Sequence, residues 1–142
     1  MNRIELWGKI NHYFREGVIS PIVGDYIIET EKFIFNADLL GSMLLVYIGP
    51  TRWGPKEMPT IEPGVVAGLV KIYSAREIAL LECAYECKIF GWSRDYLSEN
   101  DIKLLDDWFV RNEAPANIKE RFKFFVDKLV KLEGDVVACL AT

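Results

Sequence analysis

The sequence contains little of the chemistry on which recognisable enzyme sites depend. It has one histidine, His12, and three cysteines, and these residues do not have the spacing of a zinc site. Neither a glycine-rich phosphate loop nor a G-x-S-x-G nucleophile motif occurs among its 142 residues. We therefore expect no catalytic residue, metal site or cofactor, although the question of enzymatic activity stays open.

Long apolar runs and an excess of basic charge are also missing. The longest apolar stretches, such as residues 43–48, are too short to span a bilayer, and the charged N-terminal segment lacks the apolar centre of a signal peptide. A net charge of −4 gives no electrostatic basis for nucleic-acid binding. Cysteines in apolar surroundings are typical of a reducing compartment. We expect a cytoplasmic protein that binds neither membranes nor nucleic acid.

The composition is that of one globular domain over residues 1–142. Hydrophobic residues make up 51% of the chain and charged residues 27%. A chain of this length buries enough surface for a core without disulfides.

Residues 74–91 form the clearest predicted helix. Ser74 and Glu77 have the spacing of a capping box, and Gly91 follows the last apolar residue, where glycine favours a helix end. The segment is apolar on several sides, which indicates burial on several sides. We expect the other elements to pack around this helix.

The remaining pattern predicts an α+β fold. Residues 3–16 are an amphipathic helix, and residues 18–48 are short β-branched and aromatic runs typical of an antiparallel sheet of three to five strands. Residues 65–73 favour a helical lead-in to the central helix. Further helices are predicted at about 99–112, capped by Ser98 and Asp101, and at about 115–132. Residues 136–140 predict a short C-terminal strand.

The last two helices carry opposite charge. Residues 95–113 hold six acids against two bases, a net charge of −4, and residues 115–133 hold five bases against three acids, a net charge of +2. Consecutive helices joined by a short turn usually pack antiparallel. We therefore expect these charges to face one another across the rims of the two helices.

Two pairs of residues on the central helix have a spacing of four and share a helix face. Cys83 and Cys87 could contribute to a metal site, but small buried residues are the better interpretation. Glu82 and Glu86 could line a pocket between the sheet and the helix, with Arg76 as an anion contact. A solvated strip of surface is the better interpretation of this pair.

Two loops combine aromatic and cationic residues. Residues 49–64 contain four of the six prolines and three of the ten glycines, and they place Trp53 between Arg52 and Lys56. A second loop carries Trp92 and Arg94. Tryptophan and arginine are the residues that most often dominate binding energy at protein interfaces.

The sequence therefore favours a non-catalytic interaction domain, such as an inhibitor, an immunity-type protein or an accessory factor. It would bind a protein partner through Arg52, Trp53, Lys56, Trp92 and Arg94, and it could form a homo-oligomer. The alternative function is a small enzyme or ligand-binding module that uses Glu82 and Glu86, with Arg52 and Arg76 as anion contacts.

Overall fold

The computed structural model describes residues 1–23, 27–31, 34–49, 57–58, 66–68 and 71–142, and most of these residues lie in helices. The α-helices are α1 (Arg3–Arg15), α2 (Leu39–Ile48), α3 (Ala75–Glu86), α4 (Glu99–Arg111), α5 (Ile118–Lys131) and α6 (Val136–Ala141), and a 3-10 helix spans Trp92–Asp95. Residues 66–68 are also helical.

The sheet is small and mixed. Its strands, β1 (Ile19–Pro21), β2 (Ile27–Glu31), β3 (Ile34–Ala37) and β4 (Glu57–Met58), lie in the order β1-β3-β2-β4. β1 and β3 run parallel, with Ile19 opposite Phe35, and both of these side chains are buried. β2 extends this pair by antiparallel backbone pairing with β3 and β4. Helices α1 and α5 contact β1, while α2 contacts β2 and β3.

The predicted α+β fold, with an antiparallel sheet of three to five strands and a closing C-terminal strand, is wrong. The protein is mostly helical, and the strand pair whose side chains pack into the core is parallel. Antiparallel pairing in sequence order was expected, whereas β3 inserts between β1 and β2. Strand order depends on contacts between distant segments, which short apolar runs do not specify.

Helix α2 occupies residues that the sequence assigned mainly to a strand. Its N-cap is Asp38, whose carboxylate accepts a hydrogen bond from the Gly41 N–H at 2.7 Å. The helix residues from 39 to 46 are buried, so this segment has neither a polar face nor a clear helical period. A short, continuous apolar run does not distinguish a buried strand from a buried helix.

The predicted strand at residues 136–140 is wrong for a similar reason. This segment is helix α6, and its N-cap Asp135 accepts a hydrogen bond from the Ala138 N–H at 3.0 Å. The apolar run suggested a strand, but the capping residue before it was the more informative signal.

Helix α3 is the centre of the core, as its sequence predicted. Every residue from 78 to 85 is buried, and the helix contacts α2, α4, α5 and α6. The capping box of Ser74 and Glu77 is present, as is the one formed by Ser98 and Asp101 at the start of α4. Local capping patterns were therefore read correctly at both helices.

A chain of hydrogen bonds joins three distant parts of the sequence. The Trp7 indole N–H donates to the Tyr73 hydroxyl at 2.8 Å, and this hydroxyl donates to the carbonyl oxygen of Gly134. Burial raises the pKa of Tyr73 to about 12, so the phenol keeps the proton that it donates. Arg3 lies over the Tyr73 ring and pairs with Glu77. These contacts attach α1 and the α5–α6 turn to the start of α3.

Most of the proline-rich segment at 49–64 lies outside the described residues. Gly49 ends α2, and Glu57–Met58 form a short strand that pairs with β2, although the prolines and glycines of this segment disfavour regular structure. In the described part of the chain, no helix is both long enough and apolar enough to cross a membrane.

We predict that Gly134→Ala will destabilise the protein by about 3 kcal/mol or more. Gly134 has a positive φ of 80°, and an added Cβ would lie 2.6 Å from Arg3 Cβ and 2.7 Å from the Tyr73 hydroxyl oxygen. Equilibrium urea unfolding monitored by circular dichroism measures the loss.

Gly17→Ala is the matched control, because Gly17 has a similar φ of 76° with no atom within 4 Å of the added Cβ. Only the backbone strain of about 1 kcal/mol remains at this position. Equal losses for the two variants would show that the contacts around Gly134 contribute nothing.

Candidate functional site

The candidate site lies just after the end of α3. This helix ends at Glu86, five residues before Gly91, where the sequence predicted its end. Cys87 adopts the left-handed conformation, with φ 60° and ψ 33°, and its N–H donates to the Cys83 carbonyl. Residues 88–96, called the aromatic loop here, then leave the helix axis and lead into α4. The sequence assigned residues 88–90 to the helix, since nothing in its pattern marks Cys87 as the end.

Ser93 fixes the aromatic loop to α3. Its side chain is fully buried, and its hydroxyl donates to the Phe90 carbonyl at 2.9 Å. The Cys83 thiol on α3 donates in turn to the Ser93 hydroxyl oxygen at 3.2 Å. These contacts attach the loop to α3 and restrict the conformations that it can adopt.

Two stacked aromatic rings lie at the surface of this loop. The Phe90 and Trp92 ring centroids are 5.2 Å apart with an interplanar angle of 13°, and both residues are half-buried. Lys88 Nζ lies 4.5 Å from the Phe90 ring centroid, and the side chains of Lys88 and Arg94 are exposed. The loop therefore presents two partly exposed, stacked aromatic rings beside two cations.

The structure places Trp92 and Arg94 on the same short loop, and it adds Lys88 and Phe90, which sequence reasoning missed. Those two were assigned to the central helix, so their approach to Trp92 could not be anticipated from helical spacing. The other predicted binding residues, Arg52, Trp53 and Lys56, lie outside the described residues. Their role at an interface stays a prediction.

The structure places Glu82 and Glu86 on one face of α3 and Arg76 away from them, and their role in a pocket stays a prediction. Glu82 is buried and Glu86 is half-buried, while Arg76 lies about 9 Å from Glu82 along the axis of α3 and on another side of it. Four surface cavities of about 170 to 380 Å³, in the parts of the chain whose placement is described, are lined by other residues.

Arg76 instead joins α3 to α4. Its guanidinium donates to both carboxylate oxygens of Asp101, with Nη2–Oδ1 at 2.7 Å and Nε–Oδ2 at 2.9 Å. Burial would raise the pKa of Asp101, but the hydrogen bonds from Arg76 and the Ser98 N–H outweigh it and lower this pKa below its ordinary value. Arg76 is therefore occupied by a structural ion pair.

Burial favours the protonated forms of the Cys139 thiol and the Tyr85 hydroxyl. Burial raises the pKa of Cys139 to about 11 and raises the pKa of Tyr85 far above its ordinary value. The Tyr85 hydroxyl donates to the Ile22 carbonyl at 2.8 Å. Cys83 is buried and Cys87 exposed, so the two thiols differ in surroundings. These groups pack and donate hydrogen bonds.

We predict that Asp101→Asn will cost about 1–2 kcal/mol at pH 7, because it removes the charge of a bidentate pair and alters a capping box. The pKa of Asp101 is lower in the folded state than in the unfolded state, so its carboxylate stabilises the fold when the pH is above the unfolded-state pKa. This stabilisation is lost as the pH falls through the folded-state pKa. The difference from wild type should therefore be constant above about pH 5 and shrink below about pH 4. Urea unfolding across this range measures it.

Asp106→Asn, on the exposed side of the same helix, is the control for loss of one carboxylate. We expect its cost to stay within about 0.5 kcal/mol at every pH. A pH-independent effect of Asp101→Asn would show that its ion pair with Arg76 contributes nothing specific.

Comparisons with protein-family models, with curated proteins and with solved structures find no match for this chain. The role of the described surfaces therefore has to be argued from their own contacts and charges. Of these surfaces, the candidate binding site is the stacked pair of Phe90 and Trp92, in a loop that the buried Ser93 side chain bonds internally.

Proposed function

We propose that this protein is a non-catalytic interaction domain that binds a protein partner through the aromatic loop. It would act in the cytoplasm as an inhibitor, an immunity-type protein or an accessory factor. The observation that carries the proposal is the Phe90–Trp92 stack, which lies at the surface beside the cations of Lys88 and Arg94.

The composition of this surface supports a role in binding. Tryptophan and arginine are enriched among the residues that contribute most to affinity at protein interfaces. Phe90 and Trp92 are both partly exposed, so a partner could cover the remaining surface of the two rings. Lys88 and Arg94 can add hydrogen bonds at the rim of the contact, where charges improve specificity.

The rigidity of the loop supports the same role. Binding loses free energy when a mobile loop becomes ordered, and a loop that is already ordered avoids this cost. Here the Ser93 hydroxyl bonds within the loop, and the Cys83 thiol holds Ser93 to the central helix. A partner would therefore meet Trp92 in the conformation that it binds.

A partner is expected to contact more than this loop, because a standard protein interface buries about 800 Å² on each side. Arg52, Trp53 and Lys56 are the proposed second part of the contact. Their sequence, an aromatic residue between two cations on a proline-rich segment, resembles the composition of the aromatic loop. The net charge of −4 favours encounter with a basic partner.

Affinity capture from the native host, with this chain as bait, tests the proposal. We expect the wild-type chain to retain a specific partner protein. The Trp92→Ala variant should bind this partner with an affinity about 30-fold lower, because residues that dominate an interface cause losses of this size. Arg94→Ala should weaken binding less, and Trp92→Phe, which keeps an aromatic ring against Phe90, should recover part of the affinity. Titration of the purified partner measures each constant.

Arg15→Ala is the matched control for Arg94→Ala, since Arg15 is exposed on α1. Thermal unfolding of each variant separates lost binding from lost folding. Equal retention of every captured protein by wild type and by Trp92→Ala would contradict the proposed role of the aromatic loop.

A further inference from the structure

The opposite charges of α4 and α5 do not pair with each other. Both helices are described throughout, and no salt bridge joins them, contrary to the expectation from their opposite charge. Asp101 pairs with Arg76, and Lys123 pairs with Asp127 on its own helix. The contact between α4 and α5 is aromatic instead, with Trp108 and Phe125 ring centroids 5.5 Å apart.

An apolar side chain flanked by acids protrudes from α4. Val110 is 84% exposed, the highest value among the large hydrophobic residues of the described chain, and Asp106 and Asp107 are exposed as well. Residues three and four apart share a helix face, so both carboxylates lie on the side of Val110. We call this set the α4 ridge.

A groove of complementary character lies along α5. This cavity of about 380 Å³, the α5 groove, is lined by Phe124, Lys128, Lys131, Asp127, Glu113 and Thr142. Phe124, Lys128 and Lys131 share one face of the helix, at spacings of four and three. The groove therefore has an aromatic wall at one end and two cations further along the helix.

The lysines determine the charge of this groove. Lys128 Nζ lies 5.2 Å from the Trp108 ring centroid and 5.6 Å from that of Phe124, which holds its ammonium group over the apolar wall. Lys131 is exposed. Two acids, Glu113 and Asp127, also line the groove, and Asp127 is paired with Lys123 on its own helix.

We propose that the α4 ridge of a second copy of this chain docks in the α5 groove. Val110 would pack against Phe124, while Asp106 and Asp107 would pair with Lys128 and Lys131. Along the helix axes Asp106 lies about 6 Å from Val110 and Lys128 about 6 Å from Phe124, so these two charges can pair when Val110 packs on Phe124. Lys131 lies about 10 Å from Phe124 and Asp107 about 4.5 Å from Val110, so the long lysine side chain has to reach back along the helix to meet Asp107. We infer a second copy as the occupant because one chain carries both surfaces, the acidic ridge with its exposed valine and the groove with its lysines.

This contact leaves the aromatic loop out of the interface. Its cations, Lys88 and Arg94, belong to neither the ridge nor the groove, so the proposal does not depend on the proposed function. The experiment below involves purified chain alone, and its failure would leave partner capture by Trp92 unaffected.

Sedimentation equilibrium of the purified protein tests for association. We expect concentration-dependent self-association that is about tenfold weaker in about 0.5 M NaCl than in about 0.05 M NaCl, because exposed ion pairs are screened by salt. Val110→Ser should weaken association by about tenfold at low salt. A wild-type protein that is monomeric at every concentration up to about 1 mM would overturn the proposal, since a Kd above that value is too weak for a specific contact.

Charge reversal tests which surfaces meet. Asp107→Lys and Lys131→Glu should each weaken self-association by about tenfold, because each places like charges together. A mixture of the two single variants should recover association, since the new lysine of one faces the new glutamate of the other. Failure of the mixture to recover would overturn the proposed pairing.

Glu99→Lys and Lys119→Glu are the matched controls, with the same charge changes at exposed positions outside the ridge and the groove. We expect both to associate as wild type does, within about twofold. If they weaken association as much as Asp107→Lys and Lys131→Glu do, net charge alone controls the association and the proposed contact is wrong.

Discussion

The hydrogen bonds of Tyr73 are the interaction on which the arrangement of the other elements depends. Its hydroxyl accepts from Trp7, 66 residues earlier, and donates to Gly134, 61 residues later. The contact needs a residue without a side chain at 134, since a Cβ there would meet both Arg3 and Tyr73. In this way one buried phenol positions α1, the start of α3 and the turn before α6.

With its first turn held, α3 positions the proposed binding surface at its other end. The helix stops at Cys87, and the chain returns so that Ser93 lies against Cys83 on the same helix. The stack of Phe90 and Trp92 follows from this return. Helix α3, which is buried from residue 78 to residue 85, therefore connects the hydrophobic core to the aromatic loop.

The two charged helices illustrate a different consequence of packing. Their contact is made by Trp108 of α4 with Phe124 and Phe125 of α5, and no salt bridge joins the two helices. A fold that buries aromatic residues between two helices of opposite charge leaves both charges for solvent or for another molecule. Surface ion pairs contribute little to stability, and this arrangement costs the monomer little.

The sequence by itself determined the features that are encoded within a few residues. Ser74 with Glu77 and Ser98 with Asp101 form capping boxes, and the apolar sides of α3 indicated its central place, because these signals act through neighbouring backbone groups. Only the tertiary structure decided the parallel pairing of β1 with β3, the helical state of residues 39–48, and the approach of Phe90 to Trp92. Each of these depends on which distant segments share the core, and a short apolar run can be buried equally well as a strand or as a helix.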